Sequence, residues 1–102
     1  MNSEGNGEHP VGTLLFPLGQ VVATPGALEA LQEAGQDPRA LLQRHQSGDW
    51  GDLADEDKAE NDFSVNRDLR IFSAYILSTG EKVWLITEAD RSTSTFLLPQ
   101  EY

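Results

Sequence analysis

The run His45-Gln46-Ser47-Gly48-Asp49-Trp50-Gly51-Asp52 sets an imidazole within a few residues of two carboxylates and an indole, in a stretch punctuated by glycines. An imidazole titrates near neutrality and serves as a general acid or base when a carboxylate holds it and a substrate reaches it. His45 with Asp49 or Asp52 is spaced for that task. The plainer reading places His45 at the end of a helix, where a protonated ring interacts favourably with the backbone dipole. His45, Asp49 and Asp57 would supply three ligand groups, but their spacing matches no metal-binding pattern, so no metal site is expected. A second cluster runs from Thr87 to Thr95 and sets Arg91 beside Glu88 and Asp90, followed by four hydroxyl residues. A guanidinium among hydroxyls suits an anion such as phosphate. Its structural reading is a hairpin loop in which Asp90 makes the turn and Arg91 pairs with a carboxylate.

The third candidate is charge. Asp49 to Asp62 holds seven carboxylates and one lysine, with Trp50 and Leu53 as apolar anchors. Asp49, Trp50, Asp52, Asp55, Glu56, Asp57 and Glu60 are the candidate protein-binding residues, and solubility is the plainer explanation of so much charge. The whole chain carries a formal charge of -10, from seventeen carboxylates against seven basic side chains. Such a surface repels phosphate backbones, so direct nucleic-acid binding is not expected, and a basic or nucleic-acid-handling protein is the partner it suits. The chain lacks cysteine, which excludes thiol catalysis and thiolate metal sites and fits a reducing compartment, so the expected location is the cytoplasm. A Gly-rich phosphate loop, a nucleophile elbow, a dinucleotide fingerprint and a paired-His motif are all missing, and no cofactor is implied. No segment is apolar for the roughly 18 to 20 residues that a membrane span requires, and no membrane association is expected.

The elements that must position these residues are legible from caps and periods. Residues 1–12 are polar and Gly/Asn-rich and are expected to form a flexible tail, leaving 13–102 as a single domain. Leu14 to Ala23 is apolar but broken by Pro17 and Gly19, as in an irregular edge strand. Thr24-Pro25 reads as a helix N-cap with proline at the first helical position, and the helix runs to about Ala34 with Gly35 closing it. Asp37-Pro38 repeats the signal for a second helix that ends at Gly48, with Leu41, Leu42 and His45 on one face. A third helix or helical turn follows within the acidic stretch. From Leu69 the period becomes two: Leu69 to Leu77, Lys82 to Thr87 and Thr93 to Leu98 predict a three-stranded antiparallel meander. The expected architecture is α+β, with Leu28, Leu31, Leu41 and Leu42 packed on Ile71, Tyr75, Trp84, Leu85 and Phe96.

The motifs LGQVVATPGAL, H-x-x-GDWGD with Asp57 and Asn61 downstream, SAY, and KVWLITEADRSTSTFLLPQEY cover residues 14–102. On them the chain resembles a family of small uncharacterised proteins of bacterial plasmids, integrative elements and phages. That resemblance implies association with a mobile element; together with the acidic charge and the missing catalytic set, the expectation is a non-enzymatic accessory protein, anti-defence or regulatory in role, that acts by protein binding through its acidic surface. The order of helices before an antiparallel sheet is similar to the barnase-like ribonuclease fold, which implies the alternative of a small metal-independent ribonuclease or toxin. By position, Arg91 falls about where that family places a catalytic histidine, with Glu88 at the adjoining strand end. Arginine stays protonated at neutral pH, so proton donation would pass to His45.

Overall fold

The computed structural model describes residues 14–102, so the expectation of a tail at 1–12 lies outside the described residues. Both proline-started helices form where their caps predict. In α1 (Pro25–Ala34) the Thr24 hydroxyl accepts from the Ala27 N–H, and Gly35 takes the left-handed conformation (φ 64°) that ends the helix. In α2 (Pro38–Gln46) the Asp37 carboxylate accepts from the Arg39 N–H, and Ser47 rather than Gly48 forms the cap. The third helix, α3 (Asp55–Val65), has no side-chain cap at Ala54. Asp55, Glu56 and Asp57 fill its first turn, where carboxylates interact favourably with the exposed N–H groups.

The strands form one four-stranded sheet in the order β1-β4-β3-β2, from β1 (Gln20–Ala23), β2 (Ile71–Ile76), β3 (Lys82–Thr87) and β4 (Thr93–Leu97). The fold is α+β, but the sheet is mixed. The antiparallel meander β2-β3-β4 gains β1 as a parallel edge strand, with Gln20 opposite Thr93 and Ala23 opposite Phe96. All four β1 residues are exposed. The other edge is sealed twice. Gly51 bridges to Ala74, and the Asn61 side-chain amide both donates to the Phe72 carbonyl (2.6 Å) and accepts from the Phe72 N–H (3.0 Å), imitating a neighbouring strand.

Helices α1 and α2 cover one face of the sheet, and α3 lies along the outer edge of β2. On the covered face Ala27, Ala30, Leu31 and Leu41 pack with Tyr75, Val83, Leu85 and Phe96, and Leu42 adds a partly buried contact. The expected core is corrected at three places. Leu28 is 48% exposed, because it lies on the outer side of α1. Ile71 belongs to a second cluster with Phe16 and Trp50. Trp84 lies opposite Ala74 and Leu97, on the face away from Leu85, because adjacent strand residues point to opposite faces.

Candidate functional site

His45 has no exposed surface and drops from α2 onto the helix-covered face of the sheet. Its Nδ1 lies 2.6 Å from Ser73 Oγ and its Nε2 lies 2.9 Å from Thr87 Oγ1. Thr87 Oγ1 is in turn 2.7 Å from Ser94 Oγ, and the Ser94 hydroxyl donates to the Leu18 carbonyl at 2.8 Å. The carbonyl can only accept, and this fixes the direction of the whole chain. Ser94 gives its proton to Leu18 and accepts from Thr87, and Thr87 accepts from Nε2–H. Nδ1 is then the unprotonated nitrogen and accepts from Ser73. The neutral Nε2–H tautomer satisfies every group in a chain that joins one helix, three strands and the segment before β1.

Phe16 packs edge-on at 5.1 Å and Trp50 at 5.9 Å, and this apolar box disfavours charge on the ring. Burial, reinforced by the Arg91 charge, lowers the His45 pKa from 6.5 to about 3. A ring without solvent access and with both nitrogens engaged is a structural tie; the geometry gives it no route to a substrate. Asp49 and Asp52 do not hold it. Asp49 takes two hydrogen bonds from Arg44, which hold its carboxyl below the usual range, and Asp52 pairs with Lys82 at 3.1 Å.

Arg91 is likewise engaged, with carbonyls rather than the expected carboxylate. It sits in the left-handed region (φ 61°), and its guanidinium donates to the carbonyls of Leu69, Glu88, Ala89 and Ser64. The Ser64 carbonyl belongs to the last turn of α3, so the cation caps that helix. The Glu88 side chain pairs instead with Arg70. Asp90 does make the turn, accepting from the Ser92 N–H. Among the described residues no group of three or more His, Asp or Glu side chains could hold a metal ion.

The acidic stretch divides by role. Trp50 is 3% exposed and donates to Asp62, so its place is the core and it offers no surface for contact. Asp49 and Asp52 are tied to neighbouring cations. Asp55, Glu56, Asp57 and Glu60 remain exposed along α3, and none of them is in an ion pair among the described residues.

A further feature escaped the sequence reading. On the uncovered face of the sheet, Arg70, Phe72, Trp84, Ile86 and Tyr102 line an open hollow of about 250 Å³. Phe72 meets Trp84 edge-on at 4.9 Å and Trp84 meets Tyr102 at 5.7 Å. Arg70 bridges the rim, donating to the Tyr102 hydroxyl and the Glu88 carboxylate. A short turn, η1 (Pro99–Glu101), returns the chain over β3; Glu101 anchors it by accepting from the Thr24 hydroxyl and the Leu98 N–H. The signal was present in alternation: Arg70 and Phe72, and Trp84 and Ile86, are each two residues apart on neighbouring strands. No helix among the described residues is long and apolar enough to cross a membrane. Comparison with known proteins finds no matching family model, no matching curated protein and no matching solved structure.

Proposed function

We propose that this chain is a non-enzymatic accessory protein of a bacterial mobile element that acts by binding a basic protein through the acidic surface of α3. The observation that carries the reading is the exposure of Asp55, Glu56, Asp57 and Glu60 outside any ion pair among the described residues, beside Asp49 and Asp52, whose charges are already matched. Their field steers a positively charged partner and gives it register. The mobile-element assignment is supported by the resemblance in the GDWGD and ITEADRSTSTF motifs. A ribonuclease mechanism lacks support from the geometry, since His45 is enclosed and Arg91 is held by four carbonyls.

The test compares immobilised wild type with the variant Asp55→Asn, Glu56→Gln, Asp57→Asn, Glu60→Gln in capture from a bacterial lysate at low and high salt. Wild type should retain a partner that both the variant and salt release, because exposed charges are screened over about 8 to 10 Å. Equal capture by both proteins refutes the acidic contact. Cleavage of labelled RNA by the purified protein, persisting in chelator, refutes the non-enzymatic reading.

A further inference from the structure

We infer that the hollow on the uncovered sheet face is the anchor pocket for an aromatic side chain within a basic segment of a protein partner. The inference rests on the protein-binding reading above and names a contact within it. Size is the first argument. At about 250 Å³ the hollow lies below the roughly 300 to 1,000 Å³ of most small-molecule sites, and it suits one inserted side chain. Its walls are the second argument. Phe72, Trp84 and Tyr102 already meet one another at edge-on angles, and a further ring can join such an array with the same edge-to-face preference.

Charge selects the flanks of that ring. Arg70, the charged residue of the lining, is matched by Glu88. α3 lies along the outer edge of β2, where Asn61 grips the backbone of Phe72, itself a wall of the hollow. That helix holds five carboxylates against one lysine. The sheet edge beside the hollow is therefore net negative, and basic residues flanking the anchor on that side complement it. An apolar centre with a charged rim is the usual anatomy of a binding hot spot. A second copy of this chain is the poorer occupant, since it would bring its own charge of -10 to the same rim.

The experiment is an NMR titration of the protein with two synthetic peptides, Lys-Lys-Phe-Lys-Lys and Lys-Lys-Ala-Lys-Lys. The phenylalanine peptide should bind about tenfold more tightly, as burial of one ring in an aromatic pocket implies. Its amide shifts should centre on Phe72, Trp84 and Ile86, and its advantage should vanish in Trp84→Ala and Tyr102→Ala. Tyr102 is 72% exposed, so the second variant keeps its fold if the first does not. Equal binding of the two peptides, with shifts confined to α3, overturns the pocket and leaves the acidic surface standing. Binding of neither peptide overturns both.

Discussion

Lowering the pH from 7 to 5 should destabilise this protein through His45 alone by about 2 kcal/mol. In the native state the imidazole stays neutral until about pH 3, whereas in the unfolded chain it takes a proton near 6.5. Between those values the unfolded state binds more protons, so stability rises with pH in that window and is lost as pH falls through it. At pH 7 an ordinary imidazole is mostly neutral and the term is a few tenths of a kcal/mol; at pH 5 it is almost fully protonated and the term reaches about 2 kcal/mol. For a denaturant slope of about 1 to 1.5 kcal/mol/M, the urea midpoint should fall by roughly 1.5 M. The hydrogen-bonded carboxylates of Asp37, Asp49, Asp90 and Glu101, held below their ordinary range, add their own loss of stability as the pH falls further. The informative quantity is therefore the difference between wild type and His45→Gln, which cannot take up the proton. Urea unfolding at pH 5, 6 and 7 measures it. An NMR titration of the wild-type ring, expected to show the neutral Nε2–H tautomer at pH 5, supplies the same answer if the variant does not fold. A pH slope that is identical in the two proteins, or a ring that titrates near 6.5 in the native state, refutes the buried tie.

Two further predictions concern the sealed edge of the sheet. Gly51→Ala should cost about 3 kcal/mol or more, because φ is 79° and an added Cβ would run into the Ala74 carbonyl and the Tyr75 ring; Gly35→Ala, at a similar φ but facing open space, should cost only about 1 to 2 kcal/mol, and urea unfolding of the pair separates steric blockage from backbone conformation. Asn61→Ala should cost about 2 to 3 kcal/mol, since two hydrogen bonds are lost and the Phe72 backbone is left unpaired; hydrogen exchange at the Phe72 amide should accelerate beyond the global change in stability, and protection unchanged at that amide would refute the strand-mimicking role.

The features legible in the sequence were those governed by neighbours in the chain. Thr24-Pro25 and Asp37-Pro38 start helices because a side-chain oxygen and a fixed φ act within three residues, and Gly35 ends one for an equally local reason. The three meander strands follow from their period and turns. Pairing of β1 with β4 was hidden, because parallel neighbours need no short connection and leave no turn signal. The face of Trp84 was also hidden. Val83, Trp84, Leu85 and Ile86 are apolar in both phases of a two-residue period, so alternation does not say which phase meets the helices. His45 was recognised on the face of Leu41, but its partners Ser73, Thr87 and Ser94 look like ordinary strand residues until three strands are laid side by side. Arg91 lies in the turn that its neighbours predict, but its acceptors are backbone carbonyls, which carry no identity that a sequence displays.

The parallel pairing of β1 with β4 also governs the order of events as the chain is made. Gln20 and Thr93 are ~70 positions apart, so joining them is a late step whose loop-closure entropy must be met before the contact forms. The two helices and the β2-β3 hairpin depend on nearer residues and are available as soon as they are synthesised. They cannot settle, because the buried imidazole needs Thr87 to pass its hydrogen bond to Ser94 on β4 and on to Leu18 ahead of β1. A partial structure without β4 therefore encloses an unfinished hydrogen-bond chain, which is costly in a dry interior. The expected consequence is a domain that stays largely unfolded during synthesis and then folds in a single cooperative step once β4 is free to pair.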